Sequence, residues 1–267
     1  MTWDMAIAFG FGLLIGSFLN VVIYRLPHMI LADSDTPSAH ESFDLCWPAS
    51  HCPQCNNPLK AWHNIPVLSY LLLKGRCHFC KQPISARYPA IEITTALLWL
   101  ACIWHWGGTA QGMCWAIFAT LLLAMTVIDW QTTLLPDDLT QTLVWTGLVA
   151  SASGWLALDL HLSVWGAVAG YASLWIVATV FERITGKQGM GAGDFKLLAG
   201  LGAWLGPLSL IPLVMIASLS GACVGLILKF TGRLGEPGYI PFGPFLALAG
   251  MLIAFIGIDP ITAWMGW

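Results

Sequence analysis

Runs of about twenty apolar residues, almost free of charge, constrain this chain more than anything else in it. Residues 5–24, 112–128, 139–158 and 163–181 hold no Asp, Glu, Lys or Arg, and 90–106 holds only Glu92. A longer stretch at 195–228 carries Lys196 alone, and 243–258 carries no charge. A helix of about 20 such residues crosses a hydrocarbon core, where backbone polar groups must be bonded internally. Only 9% of the 267 residues are charged, against roughly a quarter in soluble domains. Fifteen Trp and twelve Phe suit aromatic belts at the membrane interfaces. These features predict an all-α polytopic membrane protein in a lipid bilayer. The net charge of −3 offers no basic face, so no nucleic-acid partner is expected.

Eleven Lys and Arg set the expected orientation. Arg25, Lys60, Lys74, Arg76, Lys81 and Arg87 lie between the first and second spans. Arg183, Lys187 and Lys196 follow the fifth, and Lys229 and Arg233 precede the last. The connections at 107–111 and 159–162 have none. The positive-inside rule then places the N-terminus outside and residues 25–88 in the cytoplasm. Lys196 and Lys229 belong on one side, so 195–228 should form two short spans turning near Gly206-Pro207. The expected total is about eight transmembrane helices. The first is read as a retained span, because no basic n-region or small-residue cleavage site marks a signal peptide. The pairs Gly12/Gly16, Gly166/Gly170 and Gly221/Gly225 are candidates for close helix approach.

In the loop, Cys52-Pro53-Gln54-Cys55 and Cys77-His78-Phe79-Cys80 repeat the C-x2-C spacing of a four-thiolate zinc site. Disulfides or unliganded thiols would satisfy the same spacing. A reducing cytoplasm disfavours disulfides. A segment of this length with little apolar pattern needs a staple, which a structural Zn2+ supplies. Cys102, Cys114 and Cys223 lie within spans and read as small apolar fillers.

Ionisable groups at membrane depth are costly and therefore candidates for function. Asp129 ends the third span, and Asp194 opens the sixth within Gly189-Met190-Gly191-Ala192-Gly193-Asp194. The expected topology brings both to the cytoplasmic face. Two neighbouring carboxylates can share a proton, one serving as acid and the other as base. The glycines before Asp194 would let a substrate backbone approach. Alternatively, Asp194 is a helix-terminal acid on the positive end of the dipole and Asp129 an interfacial residue. Asp137 and Asp138 read as caps or solvated ends, and Glu92 as either a structural partner of a basic loop residue or a site residue. No H-E-x-x-H, G-x-S-x-G or P-loop pattern is present.

Taken in order, these motifs resemble the type IV prepilin peptidases. The resemblance runs through Gly16-Ser17-Phe18-Leu19-Asn20 with Arg25-Leu26-Pro27, the two knuckles, Asn64-Ile65-Pro66, and Arg87-Tyr88-Pro89 with Glu92. It continues with Ile128-Asp129, Leu135-Pro136-Asp137, Gly189 to Lys196, and Ile240 to Pro244. The resemblance implies an aspartic endopeptidase with Asp129 and Asp194 as catalytic residues, cleaving short basic leaders from prepilins or pseudopilins of type IV pilus and type II secretion systems. It also implies N-methylation of the new terminus with S-adenosylmethionine as methyl donor, zinc on Cys52, Cys55, Cys77 and Cys80, and a bacterial inner-membrane location. Gly75 and Glu92 are the cofactor-binding candidates for methyl transfer. The expected parts are a first transmembrane helix at 1–24, a cytoplasmic zinc-binding loop at 25–88 and a helical peptidase core at 89–267. A transporter or ion-coupled carrier is the main rival reading, since intramembrane acids and interrupted spans mark it too. A zinc-anchored scaffold with structural carboxylates is a second.

Overall fold

The computed structural model describes residues 2–35, 43–187, 189–232 and 240–264. Arg233, one of the orientation-setting cations, and His40-Glu41 lie outside the described residues. Among those described, no strand forms, and two isolated bridges lie in the cysteine loop. The chain divides into two compact units, 1–120 and 121–267.

In the first unit, α1 (Thr2–Asp35) packs on α3 (Arg87–Trp106). The first helix is longer than the span expected at 5–24, because α1 continues through Pro27 to Asp35. Proline there removes one intrahelical donor. The Arg25 guanidinium anchors the extension by donating to the carbonyls of Asp44 at 2.8 Å and Pro48 at 2.6 Å. Side chains at Gly12 and Gly16 would strike the Cα atoms of Ala96 and Glu92 at 2.6 and 2.7 Å. These glycines therefore permit backbone-to-backbone packing. Between the two helices lie the cysteine loop and the short α2 (Leu68–Leu72). The start of α4 (Ala110–Thr132) joins this unit, with the Trp99 indole donating to the Thr120 hydroxyl at 2.9 Å.

The second unit holds the rest of α4, then α5 (Asp137–Ala152), α6 (Leu160–Thr185), α7 (Ala192–Leu205), α8 (Leu210–Phe230), α9 (Gly243–Ile256) and α10 (Asp259–Trp264). Its core is α7, where Leu197, Leu198, Leu201 and Ala203 are wholly buried. At 14 residues this helix spans about 21 Å, less than the ~30 Å of a hydrocarbon core. It is tolerated because its neighbours, rather than lipid, surround it. On α6, Gly166 meets the Gly202 carbonyl so closely that a Cβ on either glycine would sit 2.1 Å from the other's oxygen. Ser163 donates to the Ala203 carbonyl at 2.6 Å, and on the α5 side Trp204 donates to that of Leu143 at 2.8 Å.

Overpacking usually costs about 1–3 kcal/mol, and a clash with backbone leaves no flexible group to yield. Gly166→Val should therefore lower the stability of the purified protein by about 3 kcal/mol or more. Thermal unfolding in detergent reads this directly, and an unchanged midpoint would contradict the contact.

Two helices, α7 and α8, meet at the expected turn at Gly206-Pro207, with Gly206 at φ +80°. Only α7 is short, however, since α8 has 21 residues. Gly221 and Gly225 also differ from expectation. They face the Phe245 ring and the Ile240 side chain rather than a helix backbone. Among the described residues, four helical segments, Trp3–Leu31, Ala110–Thr132, Leu160–Thr185 and Pro207–Phe230, are long and apolar enough to cross a membrane. The outer faces of α6 and α8 expose Trp165, Trp175, Ile176, Ile211, Met215 and Leu219. A large apolar exterior of this kind is stable only against lipid or protein. The molecule is an all-α polytopic membrane protein.

Candidate active site and metal centre

The two aspartates meet within the second unit. Asp129 occupies the last turn of α4, which ends where Thr133 enters the left-handed region at φ +53°. The carboxylate is 4% exposed, and its Oδ2 accepts a hydrogen bond from the Gly243 backbone N–H at 3.0 Å. Gly243 is the first residue of α9, so this N–H is one of the orphan donors of a helix N-terminus. The positive end of the α9 dipole thus bears on Asp129. Only glycine allows the approach, because a Cβ at position 243 would lie 2.5 Å from Oδ2.

Asp194 lies in the first turn of α7 and is 5% exposed. The Gly191 backbone N–H faces it as a donor, and its charge acts directly on Asp129. Each carboxylate is therefore held at a helix N-terminus, Asp129 by α9 and Asp194 by α7. Leu135 wedges beside both, against Gly193 on one side and Gly243 on the other.

The glycines before Asp194 do not all open a path. Gly193 is filled by Leu135 and Gly189 by the Phe181 ring, while only Gly191 faces open space. Asp137, the first residue of α5, is an exposed acid at a helix end, the second of its two expected readings. Pro136 is the N-cap of α5, and both Asp137 carboxylate oxygens accept from Lys196 Nζ, at 2.6 and 2.7 Å. This ion pair ties the start of α5 to α7 two residues past Asp194. At 30% and 57% side-chain exposure it adds little stability by itself.

In the first unit the four cysteines converge. Cys52, Cys55, Cys77 and Cys80 bring their sulfurs within 4.8 Å of one another, with Cys52 Sγ 3.9 Å from Cys80 Sγ. A tetrahedral zinc with ~2.3 Å Zn–S bonds requires S···S edges of about 3.8 Å, so the donors fit this metal. The two knuckles are structural copies. Cys52 N–H donates to Asn57 O and Asn56 N–H to Cys52 O, and Cys77 N–H to Gln82 O and Lys81 N–H to Cys77 O. Asn56 and Lys81 both adopt positive φ, and bridges join His51 to Pro58 and Arg76 to Pro83. The same C-x2-C-x2-P pattern runs through both knuckles, ending at Pro58 and Pro83.

The sulfurs do not share one protonation preference. Hydrogen bonds from Asn57, first its backbone N–H and then its side chain, pull the Cys55 thiol down to about 6. The Cys80 backbone N–H leads in lowering Cys77. Against the Gln82 backbone N–H, burial and the neighbouring thiols push Cys80 up to about 11. Four thiolates cannot accumulate here without a cation, which is the chemical argument for a metal.

Gly75 and Glu92 part company. Gly75 stands at φ +67° in the turn after α2, packed on the Tyr70 ring, where its N–H donates to Tyr70 O and its carbonyl accepts from Ile84. Glu92 is buried and accepts from the Val67 backbone N–H at 2.7 Å. This partner is a peptide N–H rather than a basic residue. Glu92 also lines a cavity of about 610 Å3 that extends to Cys52 and Cys77, and Gly75 is not part of that lining.

Fold and site together define a polytopic membrane protein with a buried aspartate pair and a four-cysteine loop, the constellation of a membrane aspartyl peptidase. Two family models match it, Bacterial Peptidase A24 N-terminal domain over residues 11–106 and Type IV leader peptidase family over 116–226. A prepilin leader peptidase/N-methyltransferase from Burkholderia pseudomallei is 44% identical over 266 residues, covering 95% of this chain and 86% of that protein. Its counterpart from Pseudomonas putida is 45% identical over 262 residues, covering 94% and 90%. The one from Neisseria gonorrhoeae is 41% identical over 269 residues, covering 96% and 91%. No solved structure matches. The chain belongs to the type IV leader peptidase family.

Gly243, named in the sequence only within the Ile240 to Pro244 stretch, makes a contact with Asp129 that sequence reasoning did not assign to it. Its signal was present, because Gly243-Pro244 after Phe242 has the form of a helix start with Pro in the first turn.

Proposed function

We propose that this protein cleaves the leader from type IV prepilins or pseudopilins with Asp129 and Asp194, and then N-methylates the new terminus from S-adenosylmethionine. The observation that carries the first reaction is the buried pair of aspartates, each set at a helix N-terminus. The carboxylate form of one aspartate takes a proton from water as the oxygen attacks the scissile carbonyl carbon. The protonated partner donates to the carbonyl oxygen. The tetrahedral diol collapses as its C–N bond breaks, and the amide nitrogen leaves with a proton from the pair. The N–H from Gly243 fixes Asp129 without removing it from the reaction, since its other oxygen remains free to act.

The loop supports the second half of the reading. Cys52, Cys55, Cys77 and Cys80 would hold a structural zinc that shapes the first unit, and no chemical step passes through it. The methyl donor, when bound, supplies an electrophilic methyl group, while the chain itself binds and orients it. The proposed division of labour is a first helix, a zinc-binding loop tied to methyl transfer, and a helical peptidase core. The protein is placed in the bacterial inner membrane, N-terminus periplasmic, with the site facing the cytoplasm. The distribution of basic residues supports this orientation, and the pairing of two acids at helix termini disfavours the carrier reading.

The test is incubation with a prepilin followed by mass measurement of the mature N-terminus, which reads cleavage and methylation together. Recovery of uncut prepilin from an intact, membrane-inserted enzyme would sink the peptidase reading. Gly243→Ala gives a finer prediction. A misplacement near 1 Å costs about 10²-fold in rate, so this variant should cleave roughly a hundredfold more slowly. Steady-state kinetics at the wild-type rate would show that the contact does not position Asp129.

A further inference from the structure

The cavity of the first unit has the features of a built ligand site. Glu92 is 8% exposed, and its carboxylate is fixed by the Val67 N–H and the Ser17 side chain. Among the described residues no Lys, Arg or His pairs with it. A buried carboxylate without a cation is expensive, and here it borders open volume rather than packed side chains. Asn20 stands on the same wall, with its amide nitrogen donating to the carbonyls of Gly16 at 3.2 Å and Tyr88 at 3.1 Å. Its amide hydrogens are thereby committed, leaving Oδ1 as an acceptor. Tyr70 and Tyr88 contribute aromatic rings to the lining.

A second observation is independent of charge. Val67, which donates to Glu92, sits at φ +58°, a conformation that β-branched residues avoid. Strain of this kind persists where surrounding structure enforces it, commonly at ligand sites. The volume of about 610 Å3 falls within the range of small-molecule pockets.

We propose that this cavity is the methyl-donor site, and that the Glu92 carboxylate takes the positive charge of S-adenosylmethionine while Asn20 Oδ1 accepts a hydrogen bond from it. This rests on the methyl-transfer reading above. In the reaction the lone pair of the new N-terminal amine attacks the donor's methyl carbon. The carbon–sulfur bond breaks with its electron pair returning to sulfur, the sulfonium becomes a thioether, and the methylated amine releases a proton to water. Glu92 neither gives nor takes that proton. It holds the donor.

The experiment uses full-length protein in detergent or nanodiscs and measures binding of methyl-labelled S-adenosylmethionine, with adenosine as an uncharged competitor. Glu92→Gln keeps an oxygen for the Val67 N–H and removes only the charge. Donor affinity should fall about 10- to 100-fold, while adenosine affinity and zinc content stay at wild-type values. Unchanged donor affinity in Glu92→Gln overturns the proposal, and so does a parallel loss of donor and adenosine binding. If the variant does not fold, ultraviolet cross-linking of the labelled donor to wild-type protein replaces it. Label within 17–25 or 63–92 is expected, and label confined to residues beyond 121 overturns the site. A wild-type enzyme that neither binds the donor nor methylates would refute the methyl-transfer reading itself, a result distinct from either failure.

Discussion

Asp129→Asn and Asp194→Asn, each alone, will slow leader cleavage by about 10³-fold or more. General acid–base catalysis by one positioned group contributes about 10²–10⁴-fold, and neither reaction half can proceed with the other carboxylate alone. The substitutions are nearly isosteric. An asparagine side chain at position 129 retains an oxygen for the Gly243 N–H, and one at position 194 retains an oxygen for that of Gly191. Expression, membrane insertion and zinc content should therefore match wild type, and methylation of a pre-cleaved pilin should continue. Quantifying cut and uncut prepilin on a gel is sufficient. A variant that processes prepilin at the normal rate would remove that aspartate from the site.

Loss of the metal is expected to have the second largest effect. Zinc binding by four-ligand peptides is worth roughly 10–16 kcal/mol, as much as the whole stability of a typical domain at about 5–15 kcal/mol. Purified protein should carry one zinc per chain. Strong chelation, or Cys52→Ser combined with Cys77→Ser, should remove it and open residues 43–86 to protease. Cys52 and Cys77 also form part of the cavity wall, so methyl transfer should fall with the metal. Elemental analysis paired with limited proteolysis reads both. Stoichiometric zinc in the double variant would contradict the four-thiolate site.

Much of this was legible in the sequence because the bilayer simplifies the physics. Uncharged runs of about twenty residues have few structures available, so the long helices and the turn at Gly206-Pro207 could be read directly. The cysteine spacing and the two aspartates were likewise legible as residue types that are costly without a purpose. Other features depend on partners distant in sequence and gave no local signal. Nothing near Pro27 reveals that Arg25 anchors an extended α1 through carbonyls of 44 and 48. Lys196 reads as an orientation signal, yet its partner is Asp137, 59 positions away. Gly193 looks like an opening for substrate and is instead filled by Leu135. Gly243 reaches Asp129 across 114 positions, a contact that only tertiary packing creates.

In the proposed mechanism Asp129 and Asp194 act as one catalytic unit. Residues that act together are grossly non-additive when removed. The most direct measurement is the rate of prepilin cleavage by Asp129→Asn, Asp194→Asn and the double variant under identical conditions. The predicted result is a double variant no slower than the slower single. A double variant whose loss equals the product of the two single losses would show two independent contributions and contradict the pairing.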